Sequence, residues 1–263
     1  MTSPAVRSYG YWATTYKQTW RGSVTAGFVN PLLYLASLGI GLGSIVDKHQ
    51  GTSSATLSHV TYLAFLAPGL LASTAMQTGT GESTWPVMAS FTWTRQYHAM
   101  LATPLRVPDI VAGHVAWIAT RILGTTAIFT GVLAIFGTIK SPGILLAIPA
   151  SVLVGLSFAT PIMAFAATQE TDNAFAILNR FIVLPLFLFS GTFFPIEQLP
   201  PLIQPIAWLS PLWHGVAVTR ALMLGTIGDN PSRALVHLAI LAAIAIGGGL
   251  AAVRTIRARL MRG

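Results

Sequence analysis

Glu82 and Arg121 are ionisable side chains carried by apolar stretches, and chemistry in this chain would start from them. Charge is costly inside hydrocarbon, so an ionisable group within a membrane span is by default part of a functional site with a partner close by. Glu82 closes an apolar run within the string TGTGESTW, and Arg121 lies about a dozen residues into the next long one. His114, Trp117, Arg121 and Thr125 recur at spacings of three and four, which places them on one face of a helix. This polar stripe is expected to point into a bundle. Arg121 could pair with Glu82, line a pathway, or snorkel toward an interface, and the sequence leaves all three open.

Catalytic constellations are otherwise missing. The near-neighbour carboxylates Glu170 and Asp172 stand at i,i+2, a spacing that does not share a helix face. There is no HExxH, no GxSxG and no Cys/His metal spacing. The cysteine count of zero removes disulfides, iron–sulfur clusters and thiolate catalysis. A GxxxxGK(S/T) loop, which would cradle nucleotide phosphates, is also absent, so any ATP-derived energy must come from another polypeptide. No catalytic residue, metal or cofactor is expected in the chain itself.

The elements that position these side chains follow from hydropathy. With 263 residues, 53% hydrophobic, 8% charged and mean hydropathy +0.67, the chain lies far from the roughly 25% charged content of soluble domains. The expected fold is an all-α polytopic membrane protein, one transmembrane domain over 1–263. A net charge of +8 is not gathered into a groove with interleaved aromatics, and Arg254, Arg257, Arg259 and Arg262 directly follow an apolar run. That pattern marks a membrane flank and excludes a nucleic-acid partner. Six runs meet the roughly 20 residues needed to cross a bilayer: 24–46, 60–81, 109–138, 143–167, 174–194 and 233–253. The first begins only near Val24, with no small-residue cleavage site after a compact apolar core, so no cleaved signal peptide is expected.

An even number of spans places both termini on one side. Arg7, Lys17, Arg21, Arg95, Arg106, Arg180 and the four tail arginines flank that side, against Lys48, Lys140, Arg220 and Arg233 on the other. Basic loops stay in the cytoplasm, so both termini are expected there. Ahead of the first run, Tyr9, Trp12, Tyr16 and Trp20 share a narrow helical arc opposite Arg7, Thr14, Gln18 and Arg21. This pattern predicts a helix over 5–22 lying in the interface plane. Gly39, Gly41, Gly43, Gly247–Gly249 and the prolines 68, 149, 161 and 185 mark either close helix packing or hinges, with packing the default.

Two connections stand apart. The stretch TWTRQYHAMLATPLRVPD, 92–109, is large enough to form a short helix outside the membrane, ended by Pro104 and Pro108. Arg95, Gln96 and His98 are expected on its exposed side, with Met100 and Leu101 packing inward, so that it could dock a cytosolic partner. The string FLFSGTFFPIEQLPPLIQPIAWLSPLWHGVAVTRALMLG, 187–225, follows a full-length apolar run but is too rich in proline to span alone. It predicts a chain that turns back into the membrane and leaves on the same side, an arrangement tolerated where protein or a polar cavity satisfies the peptide groups.

These segments resemble the permease subunit of type-2 ABC exporters, the group that includes daunorubicin-resistance permeases and nodulation lipooligosaccharide exporters. The resemblance covers most of the chain and rests above all on RQYHAMLATPLRVPDIVAG and SGTFFPIEQLPPLIQPIAWLSPLWHGVAVTRALMLG. It implies that 92–105 is a coupling helix docking in an ATPase cleft, through Arg95, Gln96, His98, Leu101, Pro104 and Arg106, with 5–22 a connecting helix beside it. It implies that 195–225 forms short re-entrant helices capping the pathway, with Phe194, Glu197, Trp208, Trp213 and His214 as an outer gate. Glu82, His114, Trp117 and Arg121 would line or brace the pathway. The implied assembly has two permease chains, identical or related, and two ABC ATP-binding subunits that hold ATP and Mg, in a bacterial inner membrane. A drug-like or antibiotic-like amphiphile is the expected cargo of such an efflux and resistance system. A lipid-linked glycan or glycolipid is the alternative cargo. An ion-coupled carrier without an ATPase would need intramembrane carboxylates, of which Glu82 is the candidate.

Overall fold

The computed structural model describes residues 3–42, 62–139 and 141–262, and the described residues are helical with no strand. Helix α1 runs Pro4–Tyr34 and continues as a wider π-type segment, Leu35–Leu42. Then come α2 Tyr62–Ser83, α3 Trp85–Thr92, α4 Gln96–Leu101, α5 Val107–Ile135 and α6 Ile144–Ala166. α7 covers Asn173–Phe189 with a π-type turn at Asn179–Val183, followed by α8 Gln204–Leu209, α9 Pro211–Leu224 and α10 Pro231–Leu260. Three of these, α5, α6 and α10, are long and apolar enough to cross a membrane by length and composition. Asp47, Lys48 and His49, the end of the expected 24–46 span, Lys140 and the side chains of Trp20 and Arg21 lie outside the described residues.

Local sequence sets the boundaries. α5 starts where the Arg106 N–H donates to Asp109 Oδ2 at 3.1 Å, with Pro108 in the first turn and Asp109 at the positive end of the helix dipole. α9 starts at Ser210, whose Oγ accepts from the Leu212 N–H at 3.2 Å. It stops at Gly225, whose φ of 78° is the left-handed conformation a terminating glycine supplies.

α6 is the central post. The glycines explain how closely its neighbours approach: a Cβ on Gly79 of α2 would strike the Gly155 carbonyl of α6, and one on Gly248 of α10 would meet Thr160 and Pro161. Close backbone approach through small residues is the expected packing of helices in lipid. Gly247 and Gly249 face open space and take no part in this. α9 runs antiparallel along α6, with Gly143 beside Leu222 and Gly215 beside Val154. It therefore covers about 16 Å at one end of α6 and leaves the other half to different neighbours.

Two helix boundaries differ from those expected. No break divides an interfacial helix from a first span, because α1 passes through 22–24 without interruption. Gly22 sits in it as a helical residue, and an interior glycine costs about 1 kcal/mol without ending a helix. Nor is the aromatic arc, as far as its side chains are described, free to lie against lipid. Tyr9 and Tyr16 pack on Trp117 at 5.9 and 5.3 Å, and Trp12 stacks on His114 at 3.8 Å, so the arc is a packing face against α5. The apolar run 174–194 is also helical over a shorter length. α7 ends at Phe189, and the chain then leaves the helix through Ser190 and Gly191, the latter at φ 77°. Its 17 residues reach about 26 Å against a core about 30 Å thick.

Candidate functional site

The short helix α4 is held by its side chains. Arg95 precedes it with φ 48°, the one non-glycine residue in the left-handed region among the described residues. Tyr97 is fully buried, edge-on to Phe91 at 5.1 Å, with its OH 2.5 Å from His114 Nδ1 on α5. Burial pushes the Tyr97 phenol well above its usual pKa, so it stays protonated and can donate to that nitrogen. His114 in turn stacks on Trp12, and Ser8 Oγ donates to the Ile110 carbonyl at 3.2 Å. One chain of contacts thus links α4 to α5 and α1.

The exposed and buried sides of α4 differ from expectation at two residues. Gln96 is buried, because its Nε2 donates to Ser90 Oγ at 2.6 Å instead of reaching outward. Leu101 is 38% exposed, while Met100 takes the inward position. Arg95, Pro104 and Arg106 are exposed and His98 is half-buried. Trp93, 68% exposed, adds an apolar surface beside them.

Deeper in the bundle, Arg121 Nε donates to Glu82 Oε1 at 2.9 Å, the one ion pair among the described residues. The Arg121 guanidinium also lies 4.2 Å from the Tyr16 ring, and Thr78 and Thr125 hydroxyls pair at 3.2 Å one turn away. Of the stripe, His114, Trp117 and Thr125 are buried, and Arg121 is partly exposed. α1, α2 and α5 are tied together here by polar contacts.

At the opposite end, the segment after α7 folds against α2 and α9. Ser73 and Thr192 hydroxyls pair at 3.1 Å and those of Ser190 and Ser210 at 2.9 Å, while Thr219 Oγ1 donates to the Pro68 carbonyl at 3.1 Å. Arg220 spans the junction. Its Nη2 donates to the Gly191 and Phe65 carbonyls at 2.8 and 3.3 Å, with the guanidinium 3.9 Å from the Phe65 ring. Non-helical backbone is thereby supplied with partners, the condition for its survival at membrane depth. Phe194 and Trp213 pack around Ile196, Leu199 and Ala207, whereas Glu197 and Trp208 are exposed. His214 is buried, its Nδ1 2.6 Å from Nδ1 of His237 on α10, with Trp213 edge-on to both rings. A cleft of about 550 Å³ opens beside them, lined by Glu197, Trp208, Trp213, Asp229, Arg233 and His237.

Sequence reasoning passed over Tyr97, Trp12 as the partner of His114, and the bridging roles of Arg220 and His237. The last two carried a usable signal, since both are ionisable groups within apolar runs. Tyr97 carried none, because nothing local distinguishes a buried aromatic in a connection from an exposed one. Among the described residues, no group of three or more His, Asp or Glu is placed to hold a metal.

Comparison with known proteins agrees with this architecture. The family described as ABC-2 type transporter matches residues 11–224. Nodulation protein J of Rhizobium leguminosarum bv. viciae is 33% identical over 97% of this chain and 93% of its own length, and that of Rhizobium meliloti is 34% identical over 84% and 79%. The inner membrane transport permease YadH of Escherichia coli is 22% identical over 82% of this chain and 80% of its own. No solved structure matches. A helical bundle with apolar spans, a short helix braced outside them and a family match over most of its length together place the chain in the ABC-2 type transporter family, as a membrane permease subunit.

Proposed function

We propose that this chain is the membrane half of an ATP-driven exporter of amphiphilic compounds, two copies or two related chains working with two separate ATP-binding subunits. The observation that carries the reading is the linkage from α4 through Tyr97 and His114 to α5 and α1. A force applied to α4 reaches two long helices through side chains in direct contact, as a coupling element requires. ATP and Mg sit on the partner, whose closure need favour one packing of the permeases by only about 5.5 kcal/mol to reverse a 1:99 population.

The cargo reading rests on surfaces at two depths. Between α6, α7 and α10 lies a cleft of about 590 Å³ walled by Phe158, Ile162, Ile177, Leu178, Val183 and Ile244, suited to an alkyl chain. The cleft beside His237 mixes indole faces with carboxylates, a guanidinium and an amide. That second surface favours a glycolipid as the alternative to a drug-like amphiphile, since a sugar presents both apolar faces and hydroxyls. In this reading both termini and α4 are cytoplasmic, in a bacterial inner membrane, and the cleft faces outward.

The test is purification of the tagged chain from native membranes in mild detergent, followed by vesicle transport. An ATP-binding subunit is expected to co-purify, and transport should require ATP. Transport of the cargo by the chain reconstituted alone, with no ATPase and an ion gradient as its energy source, would replace the reading with that of an ion-coupled carrier.

A further inference from the structure

Arg220 is the side chain whose hydrogen bonding and charge the fold leaves incomplete. Its Nη2 donates to the Gly191 and Phe65 carbonyls, which uses two of the five N–H groups of a guanidinium. Nε is sealed from solvent with no hydrogen-bond partner, and among the described residues no carboxylate lies within ion-pair distance of this arginine. The Phe65 ring covers one face at 3.9 Å, which attracts the cation but supplies no counter-charge. A partly buried cation is costly unless it is paired. A cavity of about 210 Å³ opens beside it, between the start of α2, the end of α9 and the segment after Gly191. Phe65, Trp213, Val216 and Leu224 give that cavity apolar walls, and Arg220 and the exposed Glu197 are its charged lining. Glu197, Trp213 and Ala217 also line the larger cleft beside His237, so a molecule seated at Arg220 has room to continue there.

We propose that this cavity binds the singly charged oxyanion of an amphiphile, a carboxylate or a phosphodiester, against the Arg220 guanidinium, with its first carbons along Phe65 and Val216. Charge sets the sign of the ligand. An unpaired guanidinium repels a cationic group and gives an oxyanion a charge-assisted hydrogen bond, about twice as strong as a neutral one. Glu197 in the same cavity limits the ligand to one negative charge, because a second would meet it as a like charge. The walls set the rest: rings and aliphatic side chains gain from contact with carbon, which favours a headgroup with its attached chain over a bare inorganic ion. Two sources present this chemistry, a transported amphiphile and a phospholipid of the surrounding membrane. The first rests on the transport reading above; the site itself does not.

The experiment titrates the full chain, in dodecyl maltoside at low salt, with octanoate and with its uncharged counterpart octanamide, using empty micelles as the blank. In parallel, the purified chain is assayed for bound phospholipid. Octanoate should bind one per chain and octanamide about tenfold more weakly, the scale of one charge-assisted hydrogen bond. Glu197→Gln, which removes the like charge, should tighten octanoate about threefold, with the gain closing at high salt. Ala217→Leu fills the cavity while leaving both Nη2 bonds in place, and it should abolish binding, as should Arg220→Gln. The alanine variant carries the test if loss of the Gly191 anchor unfolds the arginine one. An anionic phospholipid that survives purification at one per chain and is lost in Ala217→Leu would assign the site to a membrane lipid; octanoate binding with no such lipid retained would assign it to a transported amphiphile. Where no anionic lipid is retained, absent octanoate binding, equal affinity for octanamide, or an affinity unchanged in Ala217→Leu and Glu197→Gln would each overturn the inference, as would a retained lipid that Ala217→Leu leaves bound. Any of these failures leaves the transport reading in place, because no ATP-binding subunit takes part in the measurement.

Discussion

The Glu82–Arg121 pair shows how a single contact decides the behaviour of two costly side chains. Their side chains are 21% and 14% exposed, so both are largely removed from solvent. Breaking a fully buried pair by removing one partner costs about 3–5 kcal/mol, and the residual exposure here reduces that to about 1–2 kcal/mol for Glu82→Gln or Arg121→Gln. The double variant should be less destabilised than the sum of the two, since neither charge is then left alone, and a double-mutant cycle on thermal unfolding in detergent reads the coupling. At Tyr97 the prediction concerns function. Tyr97→Phe keeps the ring against Phe91 but removes the O–H to His114. It should leave ATPase activity of the assembled transporter near wild type while lowering transport several-fold, a split that a general folding defect would not produce. Equal losses in both would show that the hydroxyl serves stability alone.

Helices α5, α6 and α10 were legible from hydropathy because long apolar stretches between polar breaks leave little choice: 109–138, 143–167 and 233–253 are expected, and Val107–Ile135, Ile144–Ala166 and Pro231–Leu260 are found. The unity of α1 was not legible, since a change from aromatic-polar to apolar composition says nothing about whether the backbone bends. The burial of its aromatic arc was hidden for a related reason. An arc of Tyr and Trp suits a lipid interface and a neighbouring helix equally well, and the neighbour is α5, a hundred residues away in sequence. The end of α7 at Phe189 depends on partners for Ser190, Gly191 and Thr192 supplied by α2 and α9, which no local pattern reports. Packing at the α2–α6 crossing gives a test at this scale. Gly79→Val would drive side-chain atoms against the Gly155 carbonyl and should destabilise the bundle by about 1–3 kcal/mol, seen as a lower unfolding temperature. The same change at Gly81, where a Cβ meets open space, should be far milder.

For the whole molecule, the two ends differ in kind. One carries α4, the turn after α6 and the arginine-rich end of α10; the other carries the folded segment from Ser190 to Asp229. With cysteine absent from the natural sequence, Glu197→Cys or Gln204→Cys introduces a unique thiol. Each should react with an impermeant reagent added to intact cells, and labelling confined to lysed cells would reverse the orientation. α9 lies along the end of α6 nearest that segment, fixed by Thr219, Arg220 and the His214–His237 contact. Gly143 and Gly215 bring α9 so close to α6 that a single added Cβ would clash, so the seam between these two helices has no room for water. We expect the resting assembly to keep the same seal, so planar bilayers containing it should show no measurable ionic conductance.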